Sequence, residues 1–96
     1  MLGEKLYEYE LVSLKGSVVP RDKYEYKAYT EVCDDISRVL KKHDLSPEFP
    51  NTRYLGVRVI VTGNNQRYRK LKKTTRREVN TELGKYHLKL KTIRRG

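Results

Sequence analysis

The sequence predicts one small domain of the α+β class, with six elements in the order strand, helix, strand, strand, helix, strand and an extra strand or hairpin at the N terminus. Several short segments alternate apolar and polar residues, as half-buried strands do, and two others carry apolar residues at helical spacing. A length of 96 residues suits a single hydrophobic core. We therefore expect residues 1–96 to form one α+β domain.

The N-terminal part of the chain predicts two strands. Leu6 to Val12 places two tyrosines and Leu11 on one face and two glutamates on the other. Lys15-Gly16 indicates a turn, and a short edge segment ends before Pro20. Tyr24 to Ala28 alternates again, which predicts the next strand.

The most regular helical pattern covers residues 31–43. Thr30 is the predicted N-cap, acidic residues lie near the start, and Lys41, Lys42 and His43 lie near the end, as the helix dipole favours. The apolar positions have the spacing of one helical face and are Val32, Ile36, Val39 and Leu40. Ser46 to Asn51 contains two prolines and predicts a loop, with Phe49 packed against the core.

The second half of the chain predicts a strand from Tyr54 to Thr62 with Leu55 and three valines facing inward. Gly63 to Gln66 indicates a reversal into a hairpin partner from Arg67 to Lys73. Thr75 and Glu78 match a capping box, which predicts a short helix over residues 76–83.

Gly84 is placed to end that helix, and alternation from Tyr86 to Lys91 predicts the last strand, whose phase breaks at Ile93. From residue 24 onward this order is the ferredoxin-like split-βαβ arrangement, with the N-terminal strand or hairpin extending its sheet. An alternative keeps an α+β sheet but makes residues 64–96 a protruding basic β-hairpin.

The positive charge is confined to one third of the chain. Residues 1–63 contain ten Lys or Arg and ten Asp or Glu, whereas residues 64–96 contain twelve Lys or Arg and only Glu78 and Glu82, which accounts for the whole formal charge of +10. A local excess of this size repels itself, and a polyanion would relieve that repulsion. The pattern predicts a basic surface within 64–96 that binds nucleic acid.

Lys and Arg side chains that neutralise phosphates release counterions, so contact is expected mainly with the backbone of RNA or DNA. Tyr68, between two arginines, is the candidate for base stacking, whereas the tyrosine pairs near residues 8 and 25 are expected in the core. The predicted nucleic-acid-binding residues are Arg67, Tyr68, Arg69, Lys70, Lys72, Lys73, Arg76, Arg77, Lys85, Lys89, Lys91, Arg94 and Arg95.

The predicted function is therefore that of a non-enzymatic nucleic-acid-binding protein, in a ribonucleoprotein or a viral or mobile-element nucleoprotein. The strand order also suits RNA-recognition motifs, but their interleaved aromatic residues are missing from Arg67 to Thr74, which holds only Tyr68. No family is recognised, and RNA and DNA are equally compatible with phosphate contacts.

Two other functions remain open. A structural or protein-interaction module, such as a virion component or host-factor inhibitor, would use the same cations to bind an acidic partner. A small basic ribonuclease would use His87 and Tyr86 in proton transfer. Because the sequence has no phosphate loop and no metal-protease motif, we expect no enzymatic activity, no cofactor and no metal.

Other features bear on location and assembly. No apolar segment approaches the length of a membrane helix, and Glu4, Glu8 and Glu10 interrupt the place of a signal peptide. The single Cys33 suits a reducing compartment, so we expect a cytoplasmic, intracellular protein that binds no membrane. Exposed edges at residues 6–14 or 67–73 would allow a homodimer through an edge strand.

Overall fold

A computed structural model of the chain describes residues 6–50 and 54–95, with the side chains of residues 7–50 and 54–93. Four strands and two α-helices follow one another as β1, α1, β2, β3, α2 and β4. Two 3₁₀ turns precede α1 and β4. The bounds are β1 Leu6–Ser13, α1 Tyr26–Lys42, β2 Ser46–Glu48, β3 Arg58–Thr62, α2 Lys73–Leu83 and β4 Leu88–Arg95, with 3₁₀ turns Arg21–Lys23 and Gly84–Tyr86.

The strands form one sheet in the order β2-β3-β1-β4, in which every neighbouring pair is antiparallel. The α+β class and the strand-helix-strand-strand-helix-strand order are confirmed. Both helices contribute to the core that covers one face of the sheet. Its buried side chains are Tyr9, Leu11, Val57, Val59, Val61, Leu88 and Leu90 from the sheet side, and Val32, Ile36, Val39, Leu40, Leu71, Val79 and Leu83 from the helices and the segment before α2.

The prediction of a strand from Tyr24 to Ala28 is wrong, because α1 begins at Tyr26. The core-facing side of α1 begins at Tyr29 and continues with Val32 and Ile36, so helical spacing prevails over the short alternation that precedes it. Thr30 is not the N-cap, since its Oγ1 donates to the carbonyl of Tyr26 at 2.9 Å inside the helix. The first strand of the ferredoxin-like order is therefore β1.

The second strand also comes from an unexpected place. Ser46–Glu48, predicted as loop, is the edge strand β2 and pairs with β3. An edge strand accommodates Pro47 because one side of it needs no backbone donor. Phe49 packs against the core as predicted. The predicted strand from residue 54 begins only at Arg58, and Leu55 is 62% exposed rather than inward-facing.

The predicted hairpin partner at Arg67 to Lys73 is not a strand. The chain does reverse at Gly63 to Gln66, where Asn64 and Asn65 have the positive φ values of a two-residue hairpin turn. Beyond it the chain enters a gap between β1 and β3. Tyr7 N–H donates to the Tyr68 carbonyl at 3.3 Å, and Arg69 N–H donates to the Val61 carbonyl at 2.9 Å. We call residues 67–72 the crossover segment; the alternative of a protruding hairpin is wrong.

α2 differs from its predicted start. It begins at Lys73, its N-cap Lys72 makes no side-chain capping bond, and Thr75 lies buried in the first turn instead of capping. The helix ends at Leu83, next to Gly84, as predicted. β4 continues past Ile93 to Arg95, because its pairing with β1 extends over all eight residues.

The sheet face opposite the helices contains buried charge. Glu8 and Glu10 are each only 3% exposed. Arg58 on β3 lies between them and solvent, with Nη1 3.6 Å from Glu8 Oε2 and its guanidinium 4.1 Å from the centre of the Tyr54 ring. The Tyr54 hydroxyl hydrogen-bonds with Glu10, which raises the pKa of that tyrosine. This cluster joins β1 to β3 on the side away from the core.

We expect Arg58→Met to lower the free energy of unfolding by about 3 kcal/mol, because removing one partner of a buried ion pair leaves a carboxylate without its countercharge. Urea denaturation followed by circular dichroism measures the change. Lys91→Met is the matched control, since Lys91 is exposed on the same face opposite Glu10, and its effect should stay within about 0.5 kcal/mol. Equal stability of the two variants would contradict a role of Arg58 in holding these carboxylates.

Candidate nucleic-acid interface

The basic surface forms where the crossover segment runs into α2. This segment is fixed by Leu71, which is 5% exposed and donates its N–H to the Tyr9 hydroxyl at 2.8 Å. Because Leu71 points into the core, its neighbours Lys70 and Lys72 are left exposed on either side of it. α2 then starts at once with Lys73, so three lysines lie within four residues of an anchored backbone.

Four of the cations at this place are exposed and have no ion-pair partner among the side chains of residues 7–50 and 54–93. We call them the basic rim: Lys70, Lys72, Lys73 and Arg77. The Lys70 ammonium lies 5.6 Å from the centre of the Tyr7 ring, within the range of a cation–π contact. The rim therefore presents unneutralised charge from an ordered position.

Two concave surfaces flank the start of α2. One, of about 230 Å³, lies between the crossover segment and the end of α1; the other, of about 480 Å³, runs along the outer side of α2. The first is lined by His43, Asp44, Leu45, Asn64, Arg69, Lys70, Lys72 and Thr75. The second is lined by Lys73, Arg76, Arg77, Asn80 and Thr81. Rim cations thus border both.

The start of α2 lacks the groups that usually stabilise the N terminus of a helix. Its first turn contains no acidic side chain and its N-cap makes no side-chain hydrogen bond. The positive end of the helix dipole consequently lies beside cations, and each such juxtaposition is unfavourable by about 0.3–1 kcal/mol at a surface. The charge arrangement favours an anion at this surface.

Other predicted cations are already engaged within the protein. Arg67 makes a bidentate pair with Glu48, at 2.9 Å and 3.0 Å. The hydrogen bond from Thr62 and the contact with Arg67 lower the pKa of Glu48. Lys85 lies 3.3 Å from Glu82, at the far end of α2 from the rim. Arg69 donates to the Gly63 carbonyl at 3.4 Å. The carboxylates thus partly neutralise Arg67 and Lys85, whereas Arg69 keeps its charge but is half-buried.

Tyr68, the predicted stacking residue, is half-buried with a positive φ of 61°. Its ring lies 5.2 Å from the Arg67 guanidinium, so one face already has a cation beside it. Lys89 and Lys91 lie on the sheet face opposite the helices, next to Val12 and Glu10 of β1. The structure does not bring these two lysines to the basic rim.

For Arg94 and Arg95 the structure describes only the backbone, which pairs with Tyr7 and Leu6 of β1. The side chains of these two predicted ligands lie outside the described residues. Their backbone is nevertheless at the same end of β1 that contacts the crossover segment.

Arg76 has an internal role that its place in the sequence does not indicate. Its guanidinium donates to the Thr92 Oγ1 at 2.6 Å and to the Leu90 carbonyl at 3.0 Å, and it lies 5.7 Å from the Tyr9 ring centre. Asn80 Oδ1 accepts the Leu90 N–H at 2.8 Å. Two side chains of α2 therefore hydrogen-bond with the carbonyl and the N–H of Leu90, on the outer edge of β4.

The order of the strands determines which residues could form an edge-to-edge homodimer. Residues 6–14 do not offer an edge, because β1 lies between β3 and β4, and residues 67–73 are not a strand. The edge strands are β2 and β4, and β4 is covered at Leu90. A homodimer through an edge strand stays a prediction, and its candidate strands are now β2 and the part of β4 that α2 does not cover.

Sequence reasoning did not foresee the contacts between the two helices. Glu78 pairs with Lys42 at 3.0 Å and with His43 at 2.9 Å. Glu82 pairs with Arg38 at 2.7 Å. The only available signal was the basic end of the predicted first helix and the two glutamates of the second, which lie one helical turn apart.

Tyr86, a candidate residue for ribonuclease chemistry, is held by Asp35. Its hydroxyl donates to Asp35 Oδ2 at 2.5 Å, which raises the pKa of Tyr86 to about 12 and lowers that of Asp35. Arg38 also donates to this carboxylate, at 2.7 Å. His87, the other candidate for that chemistry, is exposed in a left-handed turn. The contact of Tyr86 with Asp35 therefore has a structural role, since it joins α1 to the 3₁₀ turn that follows α2.

We expect Arg76→Ala to destabilise the domain by about 2 kcal/mol, because it removes hydrogen bonds from a charged donor and leaves a strand-edge carbonyl unsatisfied. The uncovered edge of β4 should also promote self-association. Urea denaturation and sedimentation velocity measure the two effects. Arg77→Ala is the matched control, since that side chain is exposed and has no such contacts. A monomeric Arg76→Ala variant as stable as the control would refute the covering role.

We expect Tyr86→Phe to lower the free energy of unfolding by about 1 kcal/mol at neutral pH through loss of the hydrogen bond to Asp35. The lowered pKa of Asp35 means that the bond stabilises the fold at pH values above about 4, the pKa of an aspartate in the unfolded chain. This contribution is lost as the pH falls below that value. The raised pKa of Tyr86 means that the stabilisation by this hydrogen bond is fully present below about pH 10 and is lost as the pH rises further.

The difference between the wild type and Tyr86→Phe should therefore be largest between about pH 4 and pH 10. Urea denaturation over a pH series measures it. Tyr26→Phe serves as the control, because the Tyr26 side chain is exposed. A difference that does not vary with pH would show that ionisation of this pair does not contribute to stability.

Comparisons with protein-family models, curated proteins and solved structures found no match to this chain. Within the residues that the structure describes, no helix combines the length and apolar character needed to cross a membrane. The same residues contain no group of three or more His, Cys, Asp or Glu side chains placed to hold a metal ion. Function is consequently inferred from the charges and shape of the surface.

Proposed function

We propose that the protein binds nucleic acid, without catalysis, by contacting the phosphate backbone through the basic rim. The proposal rests on four exposed cations around the start of α2 that have no ion-pair partner among the described side chains, namely Lys70, Lys72, Lys73 and Arg77. Phosphates placed there would release counterions and reduce repulsion between the cations.

The geometry favours a narrower interface than the thirteen residues predicted from sequence. Arg67 and Lys85 are paired with carboxylates, and Arg76 is occupied by β4, so these three contribute less to phosphate binding. Lys89 and Lys91 lie on another face of the sheet. The concave surfaces on both sides of α2 leave room for a backbone to pass along the helix start.

Contacts of this kind carry no base information by themselves, because phosphates are common to every sequence. The proposed activity is therefore sequence-independent binding whose affinity falls steeply with salt. Such binding suits a component of a ribonucleoprotein or of a viral or mobile-element nucleoprotein.

The test compares two double variants that remove equal charge. Lys72→Gln/Lys73→Gln should weaken binding to a DNA duplex and reduce the slope of log affinity against log salt by about two, because each lysine neutralises one phosphate. Lys15→Gln/Lys85→Gln is the matched control and should change the slope little, because Lys85 is paired with Glu82 and Lys15 lies in a distant turn. Fluorescence anisotropy at several salt concentrations measures both.

Two outcomes would overturn the proposal. Equal slopes for the two variants would show that the rim does not contact phosphate. If heparin binds the wild-type chain but neither DNA nor RNA does at moderate salt, the surface recognises another kind of acidic partner. Circular dichroism of both variants verifies that the exposed substitutions leave the fold intact.

A further inference from the structure

An open, shallow cavity of about 380 Å³ lies at the opposite end of α1 from the basic rim. Its volume lies in the range of small-ligand sites, which are mostly apolar with a few polar groups. Four of its six lining side chains are aromatic. The lining consists of Arg21, Tyr24, Tyr26, Tyr29, Phe49 and Pro50.

Most of the cavity wall is preformed. Tyr24 and Tyr29 pack edge to face, with ring centres 6.0 Å apart and an interplanar angle of 72°. Both rings and Phe49 also pack against the hydrophobic core. Burial raises the pKa of Tyr24 to about 12, which keeps its phenol neutral. A ligand would therefore meet rings whose positions the fold already determines.

Tyr26 differs from these residues because it is 87% exposed, at the first position of α1. Core packing does not explain an aromatic side chain in that position. Its ring borders the cavity, and the face of an aromatic ring attracts planar groups by stacking. Tyr26 is thus the lining residue with the most surface to offer a ligand.

Arg21 supplies the polar side of the cavity. Its Nη2 donates to the Pro50 carbonyl at 3.5 Å, and its backbone N–H donates to the Leu55 carbonyl at 2.7 Å, so the residue is held in place. A guanidinium is a planar group with donors only. The complementary ligand is a flat ring that carries hydrogen-bond acceptors.

We propose that this cavity binds one unpaired nucleobase of a single strand whose phosphates lie on the basic rim; this inference rests on the proposed function. Every base has a π face for stacking and most carry carbonyl oxygens that accept hydrogen bonds. A proline-rich peptide also fits aromatic grooves and its carbonyls also accept hydrogen bonds, but it would not use the +10 charge that attracts a polyanion to this chain.

The two sites are within reach of one strand. Tyr26 begins α1, and His43, its C-cap, lines the smaller concave surface beside the rim. α1 has 17 residues, and a helix of that length measures about 25 Å. Single-strand-binding domains occupy about 4–16 nucleotides, which is enough chain to span this distance.

The experiment uses the full chain and two labelled oligonucleotides of equal length, oligodeoxythymidine and its abasic analogue, which has the same phosphates and no bases. We expect the thymidine oligomer to bind more tightly. Tyr26→Ala should weaken its binding by about five- to a hundredfold, the loss of one stacked base, and should leave abasic binding unchanged. Tyr26→Phe, which keeps the ring, should bind both oligomers as the wild type does.

The abasic oligomer separates the two proposals. If it binds with the expected salt dependence while the thymidine oligomer binds no tighter, or while Tyr26→Ala has no effect, the base site is refuted and the phosphate interface stands. If neither oligomer binds while a DNA duplex still does, the base site is likewise refuted and the phosphate interface stands; if the duplex fails as well, both proposals fail. A third outcome would also overturn the assignment of the cavity to a base: a proline-rich peptide binds the wild type, the Tyr26→Ala substitution weakens that binding, and the thymidine oligomer does not compete with the peptide.

Discussion

The hydrogen bond from Leu71 N–H to the Tyr9 hydroxyl is the contact on which the position of the basic rim depends. Tyr9 is only 1% exposed in the central strand, so its hydroxyl needs a partner inside the protein, and the crossover segment supplies one. The same tyrosine ring lies near the Arg76 guanidinium. A single core side chain thus holds both the segment before α2 and the first turns of that helix.

This constraint sorts the cations of the C-terminal third into two kinds. With Leu71 buried, Lys70 and Lys72 must face solvent, whereas Arg76 turns inward to β4. Formal charge alone does not distinguish a guanidinium that completes a strand edge from a lysine that offers its charge to a ligand. The proposed binding of a polyanion therefore depends on contacts that engage some cations within the protein and leave others exposed.

The sequence predicted the α+β class, the order of elements, β1, the turn at residues 63–66 and the end of α2, because each depends on local periodicity or on turn-forming residues. It failed where tertiary contacts decide. Pro47 enters a strand only because that strand is an edge, and the crossover segment is not a regular hairpin partner because it hydrogen-bonds with both β1 and β3. The basic region was evident from composition, but the internal role of Arg76 required the position of Leu90 in β4.

Helix geometry explains why the rim stays unneutralised. Glu78 and Glu82 are four residues apart and share the face of α2 that meets α1, where they pair with Lys42, His43 and Arg38. Lys73 and Arg77 are also four residues apart, on a different face, and like charges at this spacing repel by about 0.2–0.5 kcal/mol. The acidic side chains of this region are thus used to join the helices. An anion bound between Lys73 and Arg77 would turn their repulsion into a shared contact, and this gain supports the proposal that phosphates bind at the start of α2.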